Sequence, residues 1–408
     1  MEISIMSSQP PLRHLYDFSG WVIQGIQVTR KIAVVKLHRD RRGNLYCPHC
    51  LSRAALNKKI MQSAYDLPLG PVNLVQILYE ALQGYCSRCK SHFTLHPLGI
   101  DSYAHATRRL MHYVCRLCRF MPVSKVTVFL PISASTARRW DKRILATYLP
   151  DADLDNLRII LVDEKSIGKG HQYMTVVING ETGEVLHLAE GKKKDSLESF
   201  FRKLTPKQIS NIRAVGIDRA GAYKAVIRQY APKARIVFDK FHIVGNLNTA
   251  VDEVRRAEWQ NASKKDKRFI KGQRFNILRN AHKLKEHQCD DLARLFEANE
   301  ALFQAYLLKD AFSTLWTYAR PKWASKFLDN WIQWAKETGL KPLVRFAKSV
   351  DRDRNEILAW IKHRVTSAKL EAFNATISRI VKRACGYRDL DYLYLKIRQE
   401  AAPPVPQL

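Results

Sequence analysis

At 408 residues, 46% of them hydrophobic, the chain is long enough for two or three domains with real cores. Its 68 lysines and arginines against 38 aspartates and glutamates give a formal charge of +30, well beyond what solubility requires. That excess points to a nucleic-acid partner, with a merely basic or ribosome-associated protein as the alternative. No apolar stretch reaches the length of a membrane span, and Met1-Glu-Ile-Ser-Ile-Met-Ser-Ser8 has no basic segment followed by an apolar core. The expected setting is therefore the cytoplasm, away from membranes and with reduced thiols.

Residues 1–100 read as a β-rich module. Trp21-Val-Ile23, Ile32-Ala-Val-Val-Lys-Leu37 and Val72-Asn-Leu-Val-Gln-Ile-Leu78 are strand-like, and Pro68-Leu-Gly-Pro71 is a turn. Cys47-Pro-His-Cys50 and Cys86-Ser-Arg-Cys89 are two Cys-x-x-Cys knuckles placed at hairpin tips. Four thiolates in this pairing suit one tetrahedral structural Zn2+, and neither pair has the strand–helix context of a redox motif. The module reads as a zinc ribbon, with His49 and His92 outside the ligand set. Cys115-Arg-Leu-Cys118 lies inside a helical pattern without a second pair, which favours ordinary packing.

Over 101–150 the pattern is helical: Arg108 to Val114, Val123 to Leu130, a turn at Pro131-Ile132, and a helix from Ser133 through Leu145 with Ser133 or Ser135 as N-cap. Thr136, Arg138, Arg139, Lys142 and Arg143 project from this last helix, whose other face holds Ala137, Trp140 and Ile144. The segment is a helix-turn-helix candidate whose last helix would enter the major groove; a plain helical linker is the other reading.

Residues 151–256 alternate between strands and helices. Strand 158–163, a tight Gly168-Lys-Gly170 connection, strand 172–178, a turn at Glu181-Thr-Gly183 and strand 184–189 come first. Helix 196–204, strand 212–218, helix 220–230, strand 235–239 and helix 242–256 follow. Three antiparallel strands and then α-β-α-β-α is the order of a ribonuclease H-like α/β domain. Asp163 closes one apolar run and Asp218 a second, and a carboxylate at a strand end stands where cations and substrate can reach it. Glu164 belongs to the opposite strand face, and Lys169 and His171 fall in the hairpin as surface or DNA-contact groups.

Residues 257–360 are helical throughout and separate this region from the last acid. Lys264, Lys265, Lys267 and Arg268 form a basic run that tracks DNA or makes a solvated face. Trp316, Trp323, Trp331 and Trp334, with Phe312, Leu315, Phe327 and Ile332, are read as packing. Within 361–400, Glu371 opens an amphipathic helix, and 401–408 is a frayed tail. Two strand ends and a facing helix can bring Asp163, Asp218 and Glu371 together around a pair of hard divalent cations, an arrangement used for in-line attack at phosphodiesters.

Val162-Asp-Glu-Lys-Ser-Ile-Gly-Lys-Gly-His-Gln-Tyr173, Gly216-Ile-Asp-Arg-Ala-Gly-Ala-Tyr223, Phe238-Asp-Lys-Phe-His-Ile243 and Leu370-Glu-Ala-Phe-Asn374 with Lys382-Arg-Ala-Cys-Gly-Tyr387 occur in that order. They resemble the signature blocks of DDE transposases of bacterial insertion sequences, most nearly the ISL-three family, over about residues 40–395. That family also carries a two-knuckle zinc ribbon followed by a helix-turn-helix. The resemblance implies a multi-domain α+β chain in which an all-helical insertion interrupts the ribonuclease H-like catalytic domain. It makes Asp163, Asp218 and Glu371 the catalytic triad holding two Mg2+ ions, with Mn2+ able to substitute. Asp239 and His242 match an Asp-x-x-His block that supports the site, with His242 near the DNA backbone or bracing the acids. Where the family has Ser-Asn-Gly-Arg before Leu-Glu, this chain has Thr366-Ser-Ala-Lys369, and Ser378 replaces a lysine seven residues after the glutamate. Arg379 and Lys382 are then left to supply the phosphate contact.

The expected function is a DNA transposase that binds the terminal inverted repeats of an insertion sequence and catalyses metal-dependent strand cleavage and strand transfer. Its substrate is double-stranded DNA, as element ends and as target. Joining needs both ends in one assembly, so a homodimer is expected, in the bacterial cytoplasm and held to the nucleoid through DNA. Two other readings are a non-enzymatic zinc-ribbon/helix-turn-helix regulator derived from a transposase, and a structure-selective nuclease of the ribonuclease H-like fold.

Overall fold

The structure, a computed structural model, describes residues 3–5, 18–29, 32–69, 72–168, 172–218 and 221–401. Lys169 and His171 of the expected hairpin, part of the turn at 68–71, and the tail beyond 401 lie outside them. Contacts divide the chain into two units, Met1–Asp151 with Arg379–Leu408, and Ala152–Ser378. The segment 361–400, read from sequence as one piece, is thus shared between them.

In the first unit, strands β1 (Ile3–Ile5), β2 (Trp21–Val28), β3 (Ile32–Arg39), β4 (Ala55–Asp66), β5 (Leu74–Cys86), β6 (Ser91–Leu95), β7 (Ile100–Asp101) and β8 (Ala106–Thr107) form one sheet. Its order is β1-β2-β3-β5-β4-β8-β7, with β6 alongside β5. Alternate residues of β5 (Val75, Ile77, Tyr79, Ala81) bury with Val35, Leu37 and Ala64, as period-two strands require. Helices α1 (Arg108–Phe120), α2 (Val123–Phe129) and α3 (Ala134–Tyr148) follow. Thr107 accepts from the Leu110 amide and Ser133 from the Thr136 amide, so both longer helices start on hydroxyl caps. Leu110, Val126, Ala137, Trp140 and Ile144 share one core, joined by Tyr392 of the C-terminal helix Leu390–Ala401. Cys115 and Cys118 are buried in it, and burial pushes the Cys118 thiol up to about 12, as inert packing groups behave.

The second unit runs β9 (Ile159–Ser166), β10 (Tyr173–Asn179), β11 (Val185–Glu190), α4 (Lys194–Phe201), α5 (Pro206–Asn211), β12 (Ala214–Ile217), α6 (Gly221–Tyr230), β13 (Arg235–Phe238) and α7 (Lys240–Asn261). The sheet order is β11-β10-β9-β12-β13. β9, β10 and β11 pair antiparallel, while β9, β12 and β13 run parallel. Parallel strands covered on both faces need continuous apolar runs, and Ile160 to Val162, Ala214 to Ile217 and Ile236 to Phe238 supply them.

Helices α8 (Lys264–Gly272), α9 (Arg274–Leu278), α10 (Glu286–Ala298), α11 (Glu300–Ser313), α12 (Pro321–Glu337), α13 (Lys341–Arg352) and α14 (Arg354–His363) then precede α15 (Ala368–Arg383). Phe312, Trp331 and Phe346 meet edge to face, and the Trp331 indole donates to the Leu308 carbonyl at 2.9 Å. Trp316 is buried beside them, but Trp323 is 56% exposed and corrects the expectation that all four tryptophans pack inside. Among the described residues no helix is long and apolar enough to cross a membrane.

Candidate active site and metal centre

β9 runs parallel to β12 only as far as Val162 opposite Ile217, and β12 runs with β13 as far as Ile217 opposite Phe238. The next residues on these three strands are Asp163, Asp218 and Asp239. Three aspartates therefore share one row at the carboxyl edge of three adjacent strands, which are spaced about 4.8 Å apart. β9 itself continues to Ser166 against β10, with Asp163 opposite Val176. The first acid thus marks the end of parallel pairing and not, as expected from sequence, the end of its strand.

Chain 365–371 lies over this edge. Asp163, Asp218, Asp239, His242, Ser367 and Glu371 all line one cavity of about 30 Å³, room for little more than small ions or waters. Gly216 makes the approach possible, because a Cβ there would stand 2.6 Å from the Leu161 Cδ2 and 2.8 Å from the Val365 Cγ1. The turn into this segment is made by Arg364, held at φ 49°. Its guanidinium donates to the Trp316 carbonyl at 2.9 Å and to the Tyr318 carbonyl at 2.5 Å.

The acids are individually held. The Asn374 amide donates to the Asp163 Oδ2 at 2.6 Å, and the Glu164 N–H donates to its Oδ1 at 2.7 Å. The Ser367 hydroxyl lies 2.6 Å from both the Asp239 Oδ2 and the Glu371 Oε1. The His242 Nδ1 is 3.7 Å from the Asp218 Oδ1. Burial raises the Asp163 pKa, opposed by its two hydrogen bonds and by His242. Among the described residues no three of these groups meet mutually within 4.8 Å. The cleft gathers the acids without closing them on a single point.

The four knuckle cysteines do close on one point, all sulfurs lying within 4.8 Å of one another. Cys47 and Cys89 are 4.0 Å apart and Cys50 and Cys86 3.5 Å, near the roughly 3.8 Å edge of a tetrahedron with 2.3 Å Zn–S bonds. Such separations rule out disulfides. The His49 and Cys89 amides donate to the Cys47 and Cys86 sulfurs at 3.4 Å, and the residues after each second cysteine, Leu51 and Lys90, take left-handed φ of 59° and 51° where the chain turns away. Hydrogen bonds from Ser52 pull the Cys50 thiol down to about 6, while sharing with Cys50 pushes Cys89 up to about 12. The first thiolate thus opposes the next, and a soft dication at the centre is what would let all four ionise. This donor set fits Zn2+. His92 packs against the Tyr85 ring and His49 is exposed, so neither belongs to the cluster.

Residues 160–397, more than half the chain, match the family model described as transposase. The chain belongs to the ISL-three family of DDE transposases. It is 30% identical over 358 residues to the transposase for insertion sequence element IS1001 of Bordetella parapertussis, covering 87% of this chain and 88% of that protein. It is 27% identical over 298 residues to the transposase for insertion sequence element IS1557 of Mycobacterium tuberculosis, covering 67% of this chain and 64% of that protein.

On this transposase's α3, Arg138 and Arg139 are exposed, and the Arg138 charge helps hold the Asp389 carboxyl below its usual range. Lys142 is paired with Asp389 at 2.7 Å and Arg143 with Asp101 at 2.8 Å, while the Thr136 hydroxyl accepts from Ser133. On α8, Lys264, Lys265 and Arg268 are exposed, and the Lys267 ammonium lies 5.5 Å from the Trp259 ring centre. Arg379 and Lys382 are exposed on the last turns of α15, past the unit boundary at Ser378. Asn374 and Ser367 were not singled out from sequence. Asn374 stands three residues after Glu371, on the same helix face, and Ser367 is a capping-type residue before the helix.

Proposed function

We propose that this transposase recognises the terminal inverted repeats of an insertion sequence through its zinc ribbon and helix-turn-helix. Strand cleavage and strand transfer take place at the cleft of Asp163, Asp218 and Glu371 with two Mg2+ ions, for which Mn2+ can substitute. One observation carries the reading: Asp163 and Asp218 follow the last paired residues of adjacent parallel strands and line one cavity with Glu371. Three antiparallel strands succeeded by two parallel ones, with helices between, support a ribonuclease H-like catalytic domain interrupted by the helical stretch 257–360. All-oxygen donors suit a hard cation. Ions roughly 3.5–4 Å apart need spread ligands, so Asp218 and Glu371 serving different ions agrees with acids that do not converge on one point.

Ions held there would supply the charge that activates a water or a DNA 3′-hydroxyl and stabilises the leaving oxygen. The chain's own groups prepare the site for this. Asn374 and the Glu164 amide fix both oxygens of Asp163, and Ser367 fixes one oxygen of Glu371. His242, exposed beside Asp218, is placed to meet a DNA phosphate. Arg379 and Lys382, exposed in the other unit, would make phosphate contacts of their own. On α3 the exposed Arg138 and Arg139 would contact bases or phosphates, whereas Lys142 and Arg143 form ion pairs with Asp389 and Asp101. Lys264, Lys265, Lys267 and Arg268 would track the duplex electrostatically. The active form is a homodimer, since joining requires two ends, and it works in the bacterial cytoplasm.

A labelled duplex carrying the element's terminus tests this. Nicking is expected in Mg2+ and absent in EDTA, and Asp218→Ala should abolish it with end binding intact. End binding without any nicking would select the non-enzymatic regulator, and cleavage of flaps or junctions without end binding would select the nuclease.

A further inference from the structure

We infer that Asp239 is a fourth carboxylate ligand of the cation site, on the side it shares with Glu371. The inference rests on the cation-dependent reading of the cleft and adds a ligand to it.

Asp239 continues the row begun by Asp163 and Asp218, one residue past the last pair of the third parallel strand, and it lines the same cavity. It is only 7% exposed, and its Oδ1 has no hydrogen-bond partner. A buried carboxylate oxygen without a donor is costly unless a cation meets it. Its position before α7 is one where aspartate normally caps the helix, yet it caps no amide there. The side chain faces Ser367 instead, and the accounting there is incomplete. The Ser367 hydroxyl oxygen is 2.6 Å from both the Asp239 Oδ2 and the Glu371 Oε1, and its single proton satisfies only one of the two acceptors. The basic side chains that follow Asp239 in sequence are engaged elsewhere. The Lys240 ammonium lies over the Trp316 and Trp360 rings, and His242 faces Asp218. Two carboxylates with one shared proton donor, in a cavity of ionic size, are the donor set of a hard divalent cation.

The test uses the zinc-loaded full-length protein and Mn2+ as probe. Mn2+ titration followed by calorimetry and electron paramagnetic resonance should give at least tenfold weaker binding, or loss of one bound ion, for Asp239→Asn as for Asp163→Asn. The Mn2+-induced rise in melting temperature should shrink in step, while the metal-free Asp239→Asn protein melts no lower than the parent. Asp239→Cys should lose Mg2+-supported nicking and regain it in Mn2+ or Cd2+, because a thiolate prefers softer ions. Asp239→Asn with the parent's Mn2+ affinity and stoichiometry, or Asp239→Cys with the parent's metal preference, would overturn the assignment while Asp163→Asn still upholds the cleft. A parent protein that binds no Mn2+ in this cleft would instead overturn the cation-dependent reading itself.

Discussion

Lys396→Met should destabilise the first unit severely, because it strands a buried anion. The Lys396 ammonium is 3.0 Å from the Asp141 Oδ2, and the two side chains are 2% and 0% exposed. Tyr392 donates to the same oxygen at 2.5 Å, Lys396 also donates to the Gln399 Oε1 at 2.6 Å, and the Asp141 Oδ1 has no partner. Methionine retains most of the apolar stem but leaves Asp141 with only neutral neighbours, the Tyr392 hydroxyl and the Cys115 thiol. Removing one member of such a pair costs roughly 3–5 kcal/mol. For a unit of this size each kcal/mol lowers Tm by about 2–4 °C, so a fall of roughly 6–20 °C is expected. Asp141→Asn in the same chain should restore much of the loss, since a neutral amide requires hydrogen bonds but no counter-charge. Thermal and urea unfolding of the parent, both single variants and the double variant gives the coupling directly. A loss below about 1 kcal/mol for Lys396→Met, or the same loss in the Asp141→Asn background, would refute the reasoning. End binding should fall only as the fold fails, with an unchanged salt dependence, whereas Arg138→Ala should reduce the salt slope by about 1.

Gly216→Ala should cost about 1–3 kcal/mol by overpacking against Leu161 and Val365, and should reduce nicking more than end binding, as unfolding curves and paired assays would reveal. Cys86→Ser should release the zinc and weaken end binding, so elemental analysis that finds unaltered zinc would count against the ribbon. Burial and nearby Lys203 depress the His187 imidazole to about 4. As pH falls from 7, the unfolded chain takes up this proton near 6.5 and the folded chain only near 4, so stability is lost across that window, by roughly 3 kcal/mol at most, and levels off below it. Urea midpoints measured from pH 7 to 4.5 should fall less steeply for His187→Asn.

Local pattern revealed the elements whose surroundings are local. The apolar runs of β9, β12 and β13, each bounded by an acid, and the hydroxyl cap of α3 could be read from a few residues. β4 could not, because its first five residues are exposed and mostly polar; pairing along the length of β5 makes it a strand. α5 carried a legible signal, Thr205 and Gln208 in a capping box with Pro206 between them, but at six residues it falls below the span over which periodicity shows. The packing of the C-terminal helix against α3 is set by Asp141 and Lys396, 255 residues apart, and no window contains both.

The site divides along the same line. An acid after an apolar run marks a sheet edge, and that signal occurs three times, at Asp163, Asp218 and Asp239. Whether such acids share a row depends on register, which the runs alone leave open. Glu371 has no such marker, since most of the helical stretch separates it from the sheet, and its link to Asp163 and Asp218 came from the resemblance of the blocks. Gly216 now supplies a physical reason for that link. A residue with any side chain at 216 would push Val365 away from β12, and Ser367 and Glu371 would retreat with it. The same three residues, Gly216-Ile-Asp218, therefore clear the space for the glutamate's segment and place the acid it must work beside. A local motif thus encodes a contact between residues more than 140 positions apart in the chain.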